Sequence, residues 1–229
     1  NVRTTEISLG YYNLSENSFH EFSTSSSWCW QQGCRMQWYA NATPFSVLFN
    51  SFTKGEYVSY IVDCYSKKTL TKFSYPMYAV SPKGKWGLSL DFSRLQRLRP
   101  GYGYSNLEDS TKNQKCPDKS GIWKINLLNG ESDLLFSIND IDSICKERLT
   151  KDAHQYFNHI LFHPDGYSFL FFHIYQSENG RYIRLYKSDI EFNNITLLVD
   201  YDLNVSHFNW FSKNELMVTL GAGPKGRGY

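Results

Sequence analysis

Residues 78–93 read YAVSPKGKWGLSLDFS and residues 159–175 read HILFHPDGYSFLFFHIY. Set one beneath the other, Pro82 falls on Pro164, Gly84 falls on Gly166, and apolar residues alternate in step beyond the turn. A strand ending in a Pro-x-Gly turn and returning as a second strand is a hairpin half of a repeated unit. Residues 35–51, RMQWYANATPFSVLFNS, and 207–220, HFNWFSKNELMVTL, are looser copies. Three of the copies run on into a strand, a turn and a further strand: YVSYIVDCYSKKTLTKF (57–73), GIWKINLLNGESDLLFSI (121–138) and YIRLYKSDIEFNNITLLV (182–199). Four short strands recurring roughly every 40 to 50 residues are the pattern of a β-propeller blade. The expected fold is therefore all-β, with blades near 35–73, 78–137 and 159–199 and partial blades at both ends, the first being GYYNLSENSFHEF (10–22). The second blade carries a polar insertion over about 99–120. One segment, 138–157, reads as helical.

The terminal halves can join into one blade of a four-bladed ring, or the chain can be part of a larger propeller. The lack of an initiator Met, and a final GAGPKGRGY where another strand is due, favour the larger, truncated propeller.

Composition narrows the function. The 229 residues carry 24 Lys+Arg against 22 Asp+Glu, a net charge of +2, which argues against a bulk nucleic-acid binder. Aromatic residues make up 17 % of the chain, enough to build a large core and to exclude general disorder. No apolar run approaches the roughly 20 residues of a membrane span. The five cysteines, Cys29, Cys34, Cys64, Cys116 and Cys145, lack metal or redox spacing and read as thiols of a reducing compartment.

In a propeller the first strand of each blade starts at the face where the second strand ends, so the repeat alignment tells which residues share a mouth. Inner-strand starts place Arg35, Met77, His159 and His207 there, and second-strand ends place Asn50, Asp91 and His173. The segment after Asp91 adds Arg94, Arg97, Arg99, Tyr102 and Tyr104, and Arg184 opens the third strand of its blade. His20 and His163 read as structural. Converging imidazoles can hold a divalent metal. Arginine forks grip carboxylate or phosphate, and aromatic rings stack on sugars. The expectation is an acidic oligosaccharide as ligand, with metal-assisted β-elimination as the chemistry.

The runs NHILFHPDGYSFLFFH (158–173), RYIRLY (181–186) and SHFNWF (206–211) resemble the oligogalacturonate lyases. The matching positions are His159, His173, Arg184, and His207 with Trp210. WCWQQGCRMQW (28–38), SLDFSRLQRLRPGYGY (89–104) and FNHILFHPDG (157–166) are similar to lyase-like bacterial propeller proteins of unassigned activity. The resemblance implies a seven-bladed propeller, a cytoplasmic enzyme, manganese or a similar metal, and unsaturated digalacturonide-type substrates. The lyase loop that supplies a histidine base corresponds here to 94–120, which contains no His. The expected site is then His159, His173 and His207 as metal ligands, with His159, His207 and Tyr104 as catalytic groups. Arg35, Arg94, Arg97, Arg99, Arg184 and Asp91 are the expected substrate contacts. The rival expectation is a non-catalytic glycan-binding or scaffold propeller, and a weaker third is a protein–protein platform.

Overall fold

A computed structural model describes residues 5–145, 152–222 and 226–228. All its sheets are antiparallel. The strands β1 (Ile7–Asn13) and β2 (Ser18–Ser25) form a hairpin. Three four-stranded sheets follow in simple chain order. The first holds β3 (Gln37–Trp38), β4 (Ser46–Thr53), β5 (Glu56–Asp63) and β6 (Thr69–Phe73). The second holds β7 (Ala79–Val80), β8 (Trp86–Leu90), β9 (Gly121–Asn126) and β10 (Ser132–Ser137), and the third β11 (His154–Phe162), β12 (Ser168–Ser177), β13 (Gly180–Asp189) and β14 (Ile195–Val199). A last sheet contains β15 (His207–Trp210), β16 (Leu216–Ala222) and β17 (Gly226–Gly228). The protein is all-β, and its four-stranded meanders have the form of propeller blades.

The aligned turns are superimposable in their hydrogen bonds. Gly84 N–H donates to Ser81 O at 2.7 Å and Gly166 N–H to His163 O at 2.9 Å, with φ of +62° and +77°. Those positive angles are why glycine stands at both places. The turns also lock neighbouring blades. Tyr39 OH donates to Gly84 O at 2.8 Å, Gly166 packs on Pro82, and His163 Nε2 meets Lys213 O at 2.7 Å. His163 is thus a structural residue, edge-on to Trp210 at 4.4 Å.

Second strands are buried on both faces because each sheet is flanked by another. In β12 the run Ser168–Tyr175 is buried throughout, and in β4 so is the run Ser46–Ser51. The main core fills the space between the second and third blades with Leu88, Leu90, Phe136, Phe157, Phe169 and Phe171. All five cysteines are free thiols, and burial pushes the Cys34 thiol up to about 11.

Two expectations about local structure are corrected. The stretch read as strand through Ser93 turns at Leu90 into α1 (Phe92–Leu98). Asp91 caps it by accepting Arg94 N–H at 2.9 Å, and Phe92 and Leu95, three apart on one face, bury it. Among the described residues of the segment read as helical over 138–157, the helix is α2 (Ile138–Ile144), capped reciprocally by Ser137 and Asp140. By His154 it is β11, so the third blade begins five residues before the position expected. The part at 146–151 lies outside the described residues. Among the described residues no helix is long and apolar enough to cross a membrane.

Candidate functional site

The insertion after α1 is held by an arginine that has no donors left. Arg94 is 1 % exposed. Its Nε donates to Gln155 O at 2.7 Å, Nη1 to Thr111 O and Oγ1, and Nη2 to the carbonyls of Gln114 and Lys115. These fill its fork. Arg97 Nε donates to Asp109 Oδ2 at 2.7 Å, and this bond with the Thr111 donors holds the Asp109 carboxyl low against the opposing pull of burial. Arg94 and Arg97 therefore fasten the insertion rather than face a ligand. Gly103 crosses α1 so closely that a Cβ there would lie 2.1 Å from Phe92 O. That crossing seats Tyr104, fully buried, on the Phe92 ring at 4.3 Å with its hydroxyl on Asn50 Nδ2 at 2.9 Å. Burial lifts the Tyr104 hydroxyl well above its ordinary pKa, so the expected base is a core residue.

His173 and Arg184 are likewise not at the mouth. The alignment placed His173 at the end of its strand, but β12 has ten residues against five in β8, and it continues four residues past His173. His173 lies mid-strand opposite Phe157 and Arg184, fully buried, with Nε2 on Gln155 Oε1 at 2.7 Å. Burial, then Arg184, depresses its pKa to about 3. Arg184 is 3 % exposed and pairs with Asp200 at 2.7 Å beside a groove shared with Cys145 and Tyr186. Asp91 lines a different groove, with Tyr57 and Trp123.

What does converge is centred on His159. It sits in a β-bulge of β11 with φ +53°, an uncommon conformation for a residue with a side chain. Its backbone N–H donates to Tyr78 OH at 3.1 Å, while its Nδ1 is buried without a hydrogen-bond partner. Burial first, then His207, Arg35, Arg99 and Arg181, lower its pKa to about 4, so it is neutral at pH 7. Arg35 lies 4.0 Å over the Tyr78 ring and donates Nε to Tyr78 O at 2.9 Å. Arg99 lies 5.1 Å over Tyr102, whose ring is 5.9 Å from that of His159. The guanidinium of Arg181 lies beside Tyr156, whose buried hydroxyl lacks a hydrogen bond of ordinary geometry. Gln32 Oε1 is a third buried orphan, on a side chain that donates to Tyr78 OH at 2.8 Å. Among the described residues none of Arg35, Arg99 and Arg181 has a carboxylate partner.

Of the residues expected at the mouth, Arg35, Arg99, His159 and His207 come together, joined by Tyr102. Arg94, Arg97, Arg184, Asp91, His173 and Tyr104 do not. Arg181 and Tyr156 are the additions. The signal for Arg181 was available: it follows the Glu-Asn-Gly turn at 178–180, so it stands at the tip of β13 where Arg184 was placed.

No family model matches the sequence, and no curated relative does either. Among the solved structures similar to this chain are two of low identity. TolB from Acinetobacter baumannii is 11 % identical, with a TM-score of 0.44 over 93 % of this chain and 45 % of that one. Kuenenia stuttgartiensis hydrazine synthase is also 11 % identical, with a TM-score of 0.38 over 93 % of this chain and 67 % of that one. The protein has the all-β, propeller-like fold. Its chain spans less than half the length of the TolB chain.

A manganese-type metal, implied by the lyase resemblance, does not fit the residues described. The three histidines are not gathered, since His173 is spent on Gln155 in the core. Among the described residues no three of His, Cys, Asp and Glu are grouped to hold an ion.

Proposed function

We propose that the protein binds an acidic, uronate-containing oligosaccharide at the mouth around His159. One observation carries this reading: Arg35, over the Tyr78 ring whose hydroxyl takes the His159 N–H, and Arg99, over the Tyr102 ring beside His159, flank a neutral histidine, and among the described residues neither has a carboxylate partner. Guanidinium groups that folding has left without counter-ions are placed to take a carboxylate from a ligand, Arg35 through the donors left over by its Nε and Nη2 bonds to Tyr78 O. Tyr102, 5.9 Å from the His159 ring, offers a ring for a sugar face. The lyase resemblance of 158–173 supports the same ligand class.

Calorimetric titration with digalacturonate and with its methyl ester tests the proposal. The acid is expected to bind and the ester to bind at least tenfold more weakly. Equal binding of the two, or none by either, would overturn it.

A second reading, elimination, is favoured by the His159 imidazole, which is neutral at pH 7. As base it would take the ring proton next to the carboxylate. The electron pair of that C–H bond forms the double bond as the glycosidic oxygen leaves with its own bonding pair. Ultraviolet absorbance of an unsaturated uronide, lost in His159→Gln while binding persists, is the expected sign. Binding without product leaves the rival, non-catalytic glycan-binding reading.

A further inference from the structure

A groove of about 440 Å³ opens between the first two four-stranded sheets, away from the arginines of the mouth. Tyr57 comes from β5, Tyr75 from the link into the second blade, Trp123 from β9, and Asp91 from the end of β8. The insertion supplies Leu107 and Glu108 at its rim. No Lys or Arg lines it.

Its walls are held rather than adaptable. The Tyr57 hydroxyl accepts Leu107 N–H at 3.0 Å and donates to Tyr104 O at 3.2 Å. The Tyr75 and Trp123 rings stand 6.4 Å apart at 37°. Asp91 accepts Arg94 N–H through Oδ1 and the Ser120 hydroxyl, at 3.0 Å, through Oδ2. Among the described residues it has no ion pair, because the Arg94 guanidinium is committed to Asp109 and to the carbonyls of the insertion. Burial, with Asp109 adding to it, pushes the Asp91 carboxyl up against the hydrogen bonds from Arg94 N–H and Ser120, so a cation in the groove would favour its charged form. Glu108 contributes more negative charge at the rim, in a solvent-exposed pair with Lys112.

Aromatic faces carry a negative quadrupole and attract a cation placed over them. An unpaired carboxylate does the same. A neutral sugar would gain the ring contacts but would leave the Asp91 charge as it is, and an anion would be repelled.

We propose that this groove binds an organic cation, an alkylammonium or alkylguanidinium group, over the rings of Tyr75 and Trp123 with Asp91 as its counter-ion. The protein then has two sites of opposite sign, an anion site at the mouth and a cation site in the groove. The second does not depend on the first.

The test follows the Trp123 indole N–H in nuclear magnetic resonance spectra, assigned by its loss in Trp123→Phe. Butylguanidinium and butylammonium are titrated beside butylurea, a neutral analogue of similar shape. Asp91→Asn removes the charge yet retains a good cap for α1, and its thermal melt reports whether the fold survives. The expected result is a saturable shift with both cations, none with butylurea, and at least tenfold weaker binding in Asp91→Asn. No shift with either cation, equal binding of butylurea, or unchanged affinity in a folded Asp91→Asn would each overturn the proposal. If the variant fails to fold, the wild-type comparison of charged and neutral probes decides alone.

Discussion

The second and third blades start from the same turn and end with different surfaces. Around Pro82 and Pro164 their backbones make the same bonds, to within a few tenths of an ångström. Beyond it, β8 stops after five residues and gives way to α1 and a long insertion, whereas β12 runs for ten, paired with β11 as far as Gln176 and with β13 to Ser177. The arginines divide accordingly. In the second blade the Arg94 fork is consumed in tying the insertion down and Arg97 pairs with Asp109, while Arg99 lies over Tyr102 beside His159. In the third, Arg184 is consumed on Asp200 while Arg181, at the tip, stays in play. An arginine's function here follows from where its donors are already spent, and rows of like residues in a sequence conceal that.

The sharpest way to break the comparison is Arg94→Ala. It strands several buried carbonyls and leaves Asp109 with Arg97 alone, so a loss of about 3–5 kcal/mol is expected in denaturant unfolding. The insertion should become protease-sensitive at the same time.

Next in size is the effect of acid on the third blade. The His173 pKa is about 3 folded against 6.5 for the free side chain, so the unfolded chain binds more protons between those values. This contribution is fully present above pH 6.5 and is lost as pH falls toward 3, at roughly 1.4 kcal/mol per pH unit. Stability measured from pH 7 to 4 should fall accordingly, and His173→Gln should flatten the slope. His159, at about 4, adds a smaller component of the same sign.

Tyr104→Phe keeps the stack on Phe92 and removes only the hydroxyl bonded to Asn50. The expected loss is about 1 kcal/mol in thermal melts, with no change in uronate affinity. A collapse of that affinity would return Tyr104 to the site.

The smallest effect on stability is expected for Arg99→Ala and Arg181→Ala, within about 0.5 kcal/mol. Binding of an acidic sugar should nonetheless weaken at least tenfold in each. Stability and affinity thus move oppositely in the Arg94 and Arg99 variants, and parallel losses in both would erase the distinction drawn between the two arginines.

Much of this fold was legible from local pattern. Alternating apolar residues, Pro-x-Gly turns and the recurrence of both specify strands and their order, because strand pairing between sequence neighbours needs little beyond a turn and a buried face. That repeat places Arg35, Met77, His159 and His207 at inner-strand starts and Asn50, Asp91 and His173 at second-strand ends, with Arg99 added from the segment after Asp91. Helix α1 was missed although Asp91 as cap and the spacing of Phe92 and Leu95 were present. The apolar run before it extended the strand reading one turn too far.

The sequence by itself determined an all-β chain of repeated four-strand units. Tertiary structure alone decided which charges are free. Whether a guanidinium meets a ligand or a carbonyl depends on strand length and on segments that return from 12 to 61 residues away, as Asp109, Thr111 and Gln155 do to Arg94 and Arg97. No local pattern encodes those distances, because they are set by how the insertion packs over α1 and by where β12 ends.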